Sequence, residues 1–182
     1  MSNPKTTRAT LNTVQASLIL SSMAIVENPT PGKVILFLSA ASSLRRGLRL
    51  APDHEGGQKM LDMAHALVAE SRDHFLDAVH DRSFLEAARQ TALRVSSGEL
   101  SPKNPLAVTA VCRGHLWLEA LDFLGAVGTE EVLATTDLLE WLRDMPEEAR
   151  LLARKYAKSI EESGFRPDNP DVAAYVDALR EL

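Results

Sequence analysis

Cysteine occurs once in 182 residues, at Cys112. A lone thiol excludes an internal disulfide and predicts a reducing compartment, most simply the cytoplasm. Aromatic residues are equally sparse, at 5%. With Ala and Leu dominant instead, the composition argues against sheets, which favour aromatic and β-branched side chains. Paired-cysteine zinc spacing, a glycine-rich phosphate loop and a nucleophile elbow are all missing, so those three chemistries have no motif to stand on. Long apolar runs are missing too. Residues 16–26 and 34–41 are the greasiest stretches, and both fall short of the ~18 residues a membrane span needs. Lys5 and Arg8 ahead of the first run resemble the start of a secretory signal, but Ser21 and Ser22 dilute it and no small-x-small cleavage site follows. No membrane contact is expected, and no cofactor.

What is there is helical periodicity. Residues 104–127 form a helix apolar on most of its circumference, with Leu106, Ala110, Trp117, Leu121 and Leu124 on one side and Cys112, Leu116, Ala120 and Phe123 widening it. A helix of that kind is buried by other helices. Cys112 on its apolar side reads as an inert buried thiol. His115, Glu119 and Asp122 make a narrow polar stripe, expected to be the helix's wet edge or to pair with a neighbour's Arg or Lys. Arg113, close to the apolar side, must snorkel outward or meet a carboxylate. Around this segment, helices are expected over 6–27, 33–50, 58–80, 84–96, 129–143, 147–163 and 171–182, punctuated by Pro, Gly and polar breaks. Residues 1–5 read as a frayed tail. The fold class is therefore all-α, one bundle of about eight helices around a central buried helix at 105–125.

Charge is unevenly distributed. Residues 1–50 hold six basic side chains against Glu27 alone, a net of +5, while 51–182 hold 14 basic and 24 acidic ones, a net of −10. The chain is accordingly read as a basic two-helix arm (1–50) and an acidic helical body (51–182). Either the basic start docks on the acidic remainder, or it meets an acidic partner, nucleic acid included. Arg45, Arg46 and Arg49 lie within about 100° of one another on the second helix, a patch that suits phosphate. Aromatic neighbours for stacking bases are few. Leu11, Val14, Leu18 and Ile25 form one stripe of the first helix, and Ile19, Met23 and Val26 form a second. A two-sided helix predicts two neighbours, one of them a partner or another copy of the chain. The favoured function is a non-enzymatic interaction or assembly module, with Arg45, Arg46, Arg49, Leu11, Val14 and Leu18 meeting a protein partner or a second copy. Nucleic acid at the arginines is a weaker alternative.

The segment 58–80 is dense in His and Asp, with Asp62/His65 and Asp77/His80 at the i, i+3 spacing that lets two side chains hold one metal. The helical period sets Asp62, Asp73, Asp77 and His80 opposite Met60, Leu67 and Phe75, which makes a solvated face the first expectation and leaves the favoured reading without a metal. The adjacent pair His80-Asp81 resembles the dipeptide of the all-helical, metal-dependent phosphohydrolases of the HD superfamily. That resemblance implies a metal-dependent hydrolase, with His54 as an earlier ligand and Asp137 or Asp144 as a later one. Residues 161–182, around Gly-Phe-Arg-Pro-Asp, resemble one unit of a pentatricopeptide repeat. Such arrays need several copies to bury their faces, and one unit reads as shared capping chemistry.

Overall fold

Apolar side chains recurring every three to four residues, cut by proline and glycine, give helices throughout. The computed structural model describes the backbone of residues 4–182 and the side chains from Ala9 onward. Among the described residues there are nine helices and no strand: α1 Pro4–Glu27, α2 Pro31–Leu50, α3 Gly57–Glu70, α4 Arg72–His80, α5 Ser83–Ser96, α6 Pro105–Leu124, α7 Thr129–Arg143, α8 Glu147–Ser163 and α9 Pro170–Arg180. Of the tail expected at 1–5, residues 1–3 lie outside the described residues and Pro4 and Lys5 belong to α1.

Most boundaries fall within one or two residues of expectation, and two differences concern the interior. α2 begins at Pro31, not Lys33, because proline suits the first helical turn and the Thr30 hydroxyl accepts from the Lys33 N–H. The single helix expected over 58–80 is two, broken at Ser71 with φ −135° and ψ 34°. Arg72 just beyond the break donates to the Leu124 carbonyl at 2.7 Å. The break turns Phe75 and Val79 into the interior beside α2 and α6. The buried stripe of α3 is Leu61, Ala64 and Val68, one position on from the expected Met60 and Leu67.

α6 packs against α2, α4, α5, α7, α8 and α9. Asn104 caps its start, accepting from the Leu106 N–H, and Gly125 at φ 65° ends it. Trp117 is fully buried and donates its indole N–H to the Val79 carbonyl at 2.7 Å, which ties α6 to α4. α2 packs against α1 on one side and α6 on another, and buries Val34, Ile35, Phe37, Leu38, Ala41, Leu44 and Leu48. Arg113 takes neither expected route: it donates to the Phe84 carbonyl at 2.9 Å and lies over the Phe84 ring.

Gly114 leaves room for side chains of α9 and α7 against α6. A Cβ there would stand 2.1 Å from the Tyr175 hydroxyl oxygen and 3.1 Å from Leu138. Gly114→Ala is therefore expected to cost about 1–3 kcal/mol, the usual range for overpacking, read from urea unfolding. The Tyr175 hydroxyl is buried with no hydrogen-bond partner among the described residues. Tyr175→Phe should thus be tolerated alone and should recover part of the loss when combined with Gly114→Ala.

Candidate functional site

Two features stand out from the packed interior: a buried polar cluster between α2, α6 and α8, and the outward face of α1.

The cluster begins with Glu119, which α6 turns toward α2. It is 1% exposed. The Ser42 hydroxyl donates to its Oε2 at 2.7 Å, and the Arg46 guanidinium pairs with the same oxygen. Arg46 Nε also donates to the Phe165 carbonyl at 3.0 Å, and Nη1 to Ser42 Oγ at 3.0 Å. His115 Nε2 lies 3.1 Å from Glu119 Oε1, and Nδ1 lies 2.7 Å from the Tyr156 hydroxyl. A carboxylate only accepts, so Nε2 carries the hydrogen in that contact. A cleft of about 260 Å³ lined by Ser43, Ser159 and Ser163 opens over Arg46, His115 and Glu119.

Burial works against ionisation of Glu119, but the hydrogen bond and charge of His115, then those of Arg46, outweigh it and hold the carboxyl at about 2. Burial, then the neighbouring Cys112 and Glu119, push the Tyr156 phenol well above its ordinary range. Burial likewise lifts the Cys112 thiol to about 11, against a hydrogen bond from Tyr156. At neutral pH the cluster therefore holds a carboxylate–guanidinium pair beside a neutral phenol and a neutral thiol. Its chemistry is that of a polar lock between elements far apart in sequence. Of the two expectations for the stripe of His115, Glu119 and Asp122, pairing with a neighbour's arginines is the one that holds: Asp122 takes Arg45 and Glu119 takes Arg46 from α2, while His115 bonds Tyr156 of α8.

The sequence-predicted residues fall as follows. Arg45 donates to Asp122 at 2.7 Å, Arg46 is buried on Glu119, and Arg49 pairs with Asp168 at the surface. The three do not share one open face, and each meets an acid of the remainder of the chain. Leu11 and Leu18 are buried and Val14 is half-buried, packed into the chain's own core. The metal-ligand set implied by the HD resemblance is not gathered. His54 bonds Asn12 at 2.9 Å, His80 faces Glu131 at 3.6 Å, and Asp81 accepts from the Ser83 N–H at 2.9 Å. Asp137 lines a separate cleft with Arg89 and Trp141. Among the described residues no group of three or more His, Cys, Asp or Glu could hold a metal ion. Asp62, His65, Asp73, Asp77 and His80 are exposed.

The outward face of α1 carries the second apolar stripe expected from the sequence, Ile19, Met23 and Val26, with Leu20 added to it. Leu11 and Leu18 point inward, so Ile19, Leu20, Met23 and Val26 stand out at 44%, 68%, 57% and 82% exposure, with Leu36 at 46% and Met63 at 64% beside them. Two apolar grooves flank this ridge. One of about 490 Å³ runs between α1, α2 and α3, walled by Met23, Phe37, Met60 and Met63. The other, about 520 Å³, lies over α2 with Val14, Leu20, Leu36, Ala40 and Leu116. By length and composition Ala9–Glu27 is one helix that could cross a membrane, and 11% of it is buried. That corrects the expectation that no such stretch exists: Thr, Ser, Asn and Gln interrupt the apolar run but bring no charge. Comparison with family models, with curated proteins and with solved structures returns no match.

Proposed function

We propose that this chain is a helical interaction module, an adaptor or assembly subunit, whose docking element is the outer face of α1. The observation that carries the reading is the ridge Ile19–Leu20–Met23–Val26 with Leu36 and Met63, six large apolar side chains each more than 40% exposed. Clustered exposed apolar side chains often mark an interaction site. Met23, Met60 and Met63 around one groove add side chains that adapt to a partner's shape. The function resides in the side of α1 facing away from Leu11 and Leu18, because those two are consumed by the fold. The basic arginines act inside the module: they fasten α2 to α6 and to the 164–168 joint. A cytoplasmic setting belongs to the same proposal, since Cys112 has no cysteine partner.

Site-specific photo-crosslinking tests the reading. A photoreactive residue at Leu20 or Met23 is expected to give a discrete adduct of higher mass in extract. The same residue at Leu151, an exposed leucine on α8, should give none. Equal silence at all three positions overturns the docking role.

A further inference from the structure

The buried polar cluster also faces a cleft. We infer that this cleft, over Arg46, binds the carboxylate of a small aliphatic acid whose chain runs past Leu116 into the adjoining apolar groove. The inference goes beyond the docking role of α1 and does not depend on it.

Tyr156, Ser159, Ile160 and Ser163 recur on α8 at offsets of 3, 4 and 7, so they share one face. α2 brings Ser43 and Arg46 to that face, and α6 brings Leu116. Three of these side chains are serines, too short to fill the space between the helices, and the cleft of about 260 Å³ remains. Sites for drug-sized ligands hold ~300–1,000 Å³, so only a compact group fits here. Ser43 and Leu116 also border the groove of about 520 Å³ that Leu36 and Ala40 line. Polar cleft and apolar groove therefore adjoin at these two residues.

Hydrogen bonding decides the chemistry of the occupant. A guanidinium carries five N–H groups. Arg46 directs Nε–H to the Phe165 carbonyl and Nη1 to Ser42 and Glu119. Nη2 reaches only the Ser43 hydroxyl oxygen, at 3.4 Å, so one of its hydrogens meets no acceptor among the described residues. The Ser43 hydroxyl hydrogen meets none there either. Ser159 and Ser163 differ: each donates to a carbonyl of its own helix at 2.7 Å. Two neighbouring donors thus face the cleft without an acceptor, and the Arg46 side chain that bears one of them is only 6% exposed. A ligand oxygen answers both, and a planar carboxylate offers one to each. Glu119 does not stand in its way, because both of its oxygens are engaged by His115, Ser42 and Arg46. A cationic ligand would meet the guanidinium head-on. Phosphate would satisfy the donors but leave the apolar groove unused.

Isotope-labelled full-length protein is titrated with sodium hexanoate and followed by amide and arginine side-chain NMR, with hexylammonium and inorganic phosphate as controls. Saturable shifts are expected at Ser43, Leu116, Ser159 and the Arg46 Nε–H. The Trp141 indole, which lines the separate cleft with Arg89, should not move. Affinity should rise roughly fourfold per methylene from butyrate to hexanoate as the chain is buried. Ser43→Ala removes a donor to a charged oxygen and should weaken binding about 10-fold, whereas Ser43→Thr keeps the hydroxyl and should retain it. Ser159→Phe, at an exposed position on the mouth, should block binding while leaving the melting temperature near that of the wild type. Absence of saturable shifts overturns the inference, since water then suffices for both donors. So do equal shifts with hexylammonium, phosphate binding as tight as that of hexanoate, or hexanoate binding indifferent to both Ser43→Ala and Ser159→Phe. The photo-crosslinking at Leu20 and Met23 is read separately, so either proposal can fail alone.

Discussion

Glu119→Ala is expected to lower the unfolding free energy by about 3–5 kcal/mol, the range for removing one member of a buried ion pair. The loss arises because Arg46 stays behind, buried, with Ser42 and His115 also deprived of their acceptor. Urea titration followed by circular dichroism measures it. Replacing both charges, as Arg46→Met with Glu119→Leu, should recover more than half of that loss, since an apolar pair of similar volume needs no desolvated charge. If the double variant is no better than the single one, the cost lies elsewhere than in the stranded guanidinium. The same residue sets an acid dependence. Its carboxyl is held at about 2 in the folded chain against 4.5 in its ordinary state. The folded state therefore binds this proton less readily than the unfolded one. The stabilisation is complete above about pH 4.5, shrinks as pH falls and is gone below about 2. Over that window Glu119→Ala should show a flatter decline in stability than the wild type.

Trp117→Ala should be comparably damaging, at about 3–5 kcal/mol. The indole is fully buried, and its N–H satisfies the Val79 carbonyl at the end of α4. Truncation leaves both a cavity and an orphaned carbonyl. Trp117→Phe keeps most of the volume but not the donor, so it should cost distinctly less. Its deficit should come mainly from the unmade hydrogen bond, at about 1–3 kcal/mol. Thermal and urea unfolding of the pair separate the two contributions. A Trp117→Phe variant as unstable as Trp117→Ala would mean that the hydrogen bond, not the packing, dominates.

The all-α class is legible in the residues because helix chemistry is local. Asn104 with Pro105, and Asn169 with Pro170, each write a cap and first turn into adjacent positions, and Gly125 and Gly164 adopt the left-handed conformation that ends the helices before them. The break at Ser71 is not legible, because the apolar period runs straight through it and the tertiary contact of Arg72 with Leu124 accompanies it. The arginines illustrate the same limit. Their proximity on α2 follows from spacing, but their partners Asp122, Glu119 and Asp168 lie 77, 73 and 119 residues away, beyond any local pattern. The charge asymmetry between the two parts of the chain was the available signal, and docking of the basic start on the acidic remainder is the alternative that these pairs fit. For α1, both apolar stripes are visible in sequence. Which one the fold consumes is decided by α2, whose own faces are nearly all occupied.

The partners of Arg46 have a consequence for how the molecule is made. Synthesis is vectorial, and the Phe165 carbonyl that completes the Arg46 contacts lies 119 residues downstream. At about 5–20 residues per second, that acceptor emerges roughly 6–24 s after the arginine. For the first part of this interval, until Glu119 follows 73 residues after Arg46, α1 and α2 have left the ribosome with a cation still lacking its counter-ion and an apolar outer surface already on offer. The nascent chain is thus most vulnerable to premature aggregation during its middle third, and ribosome-bound chaperones would be expected to engage it there.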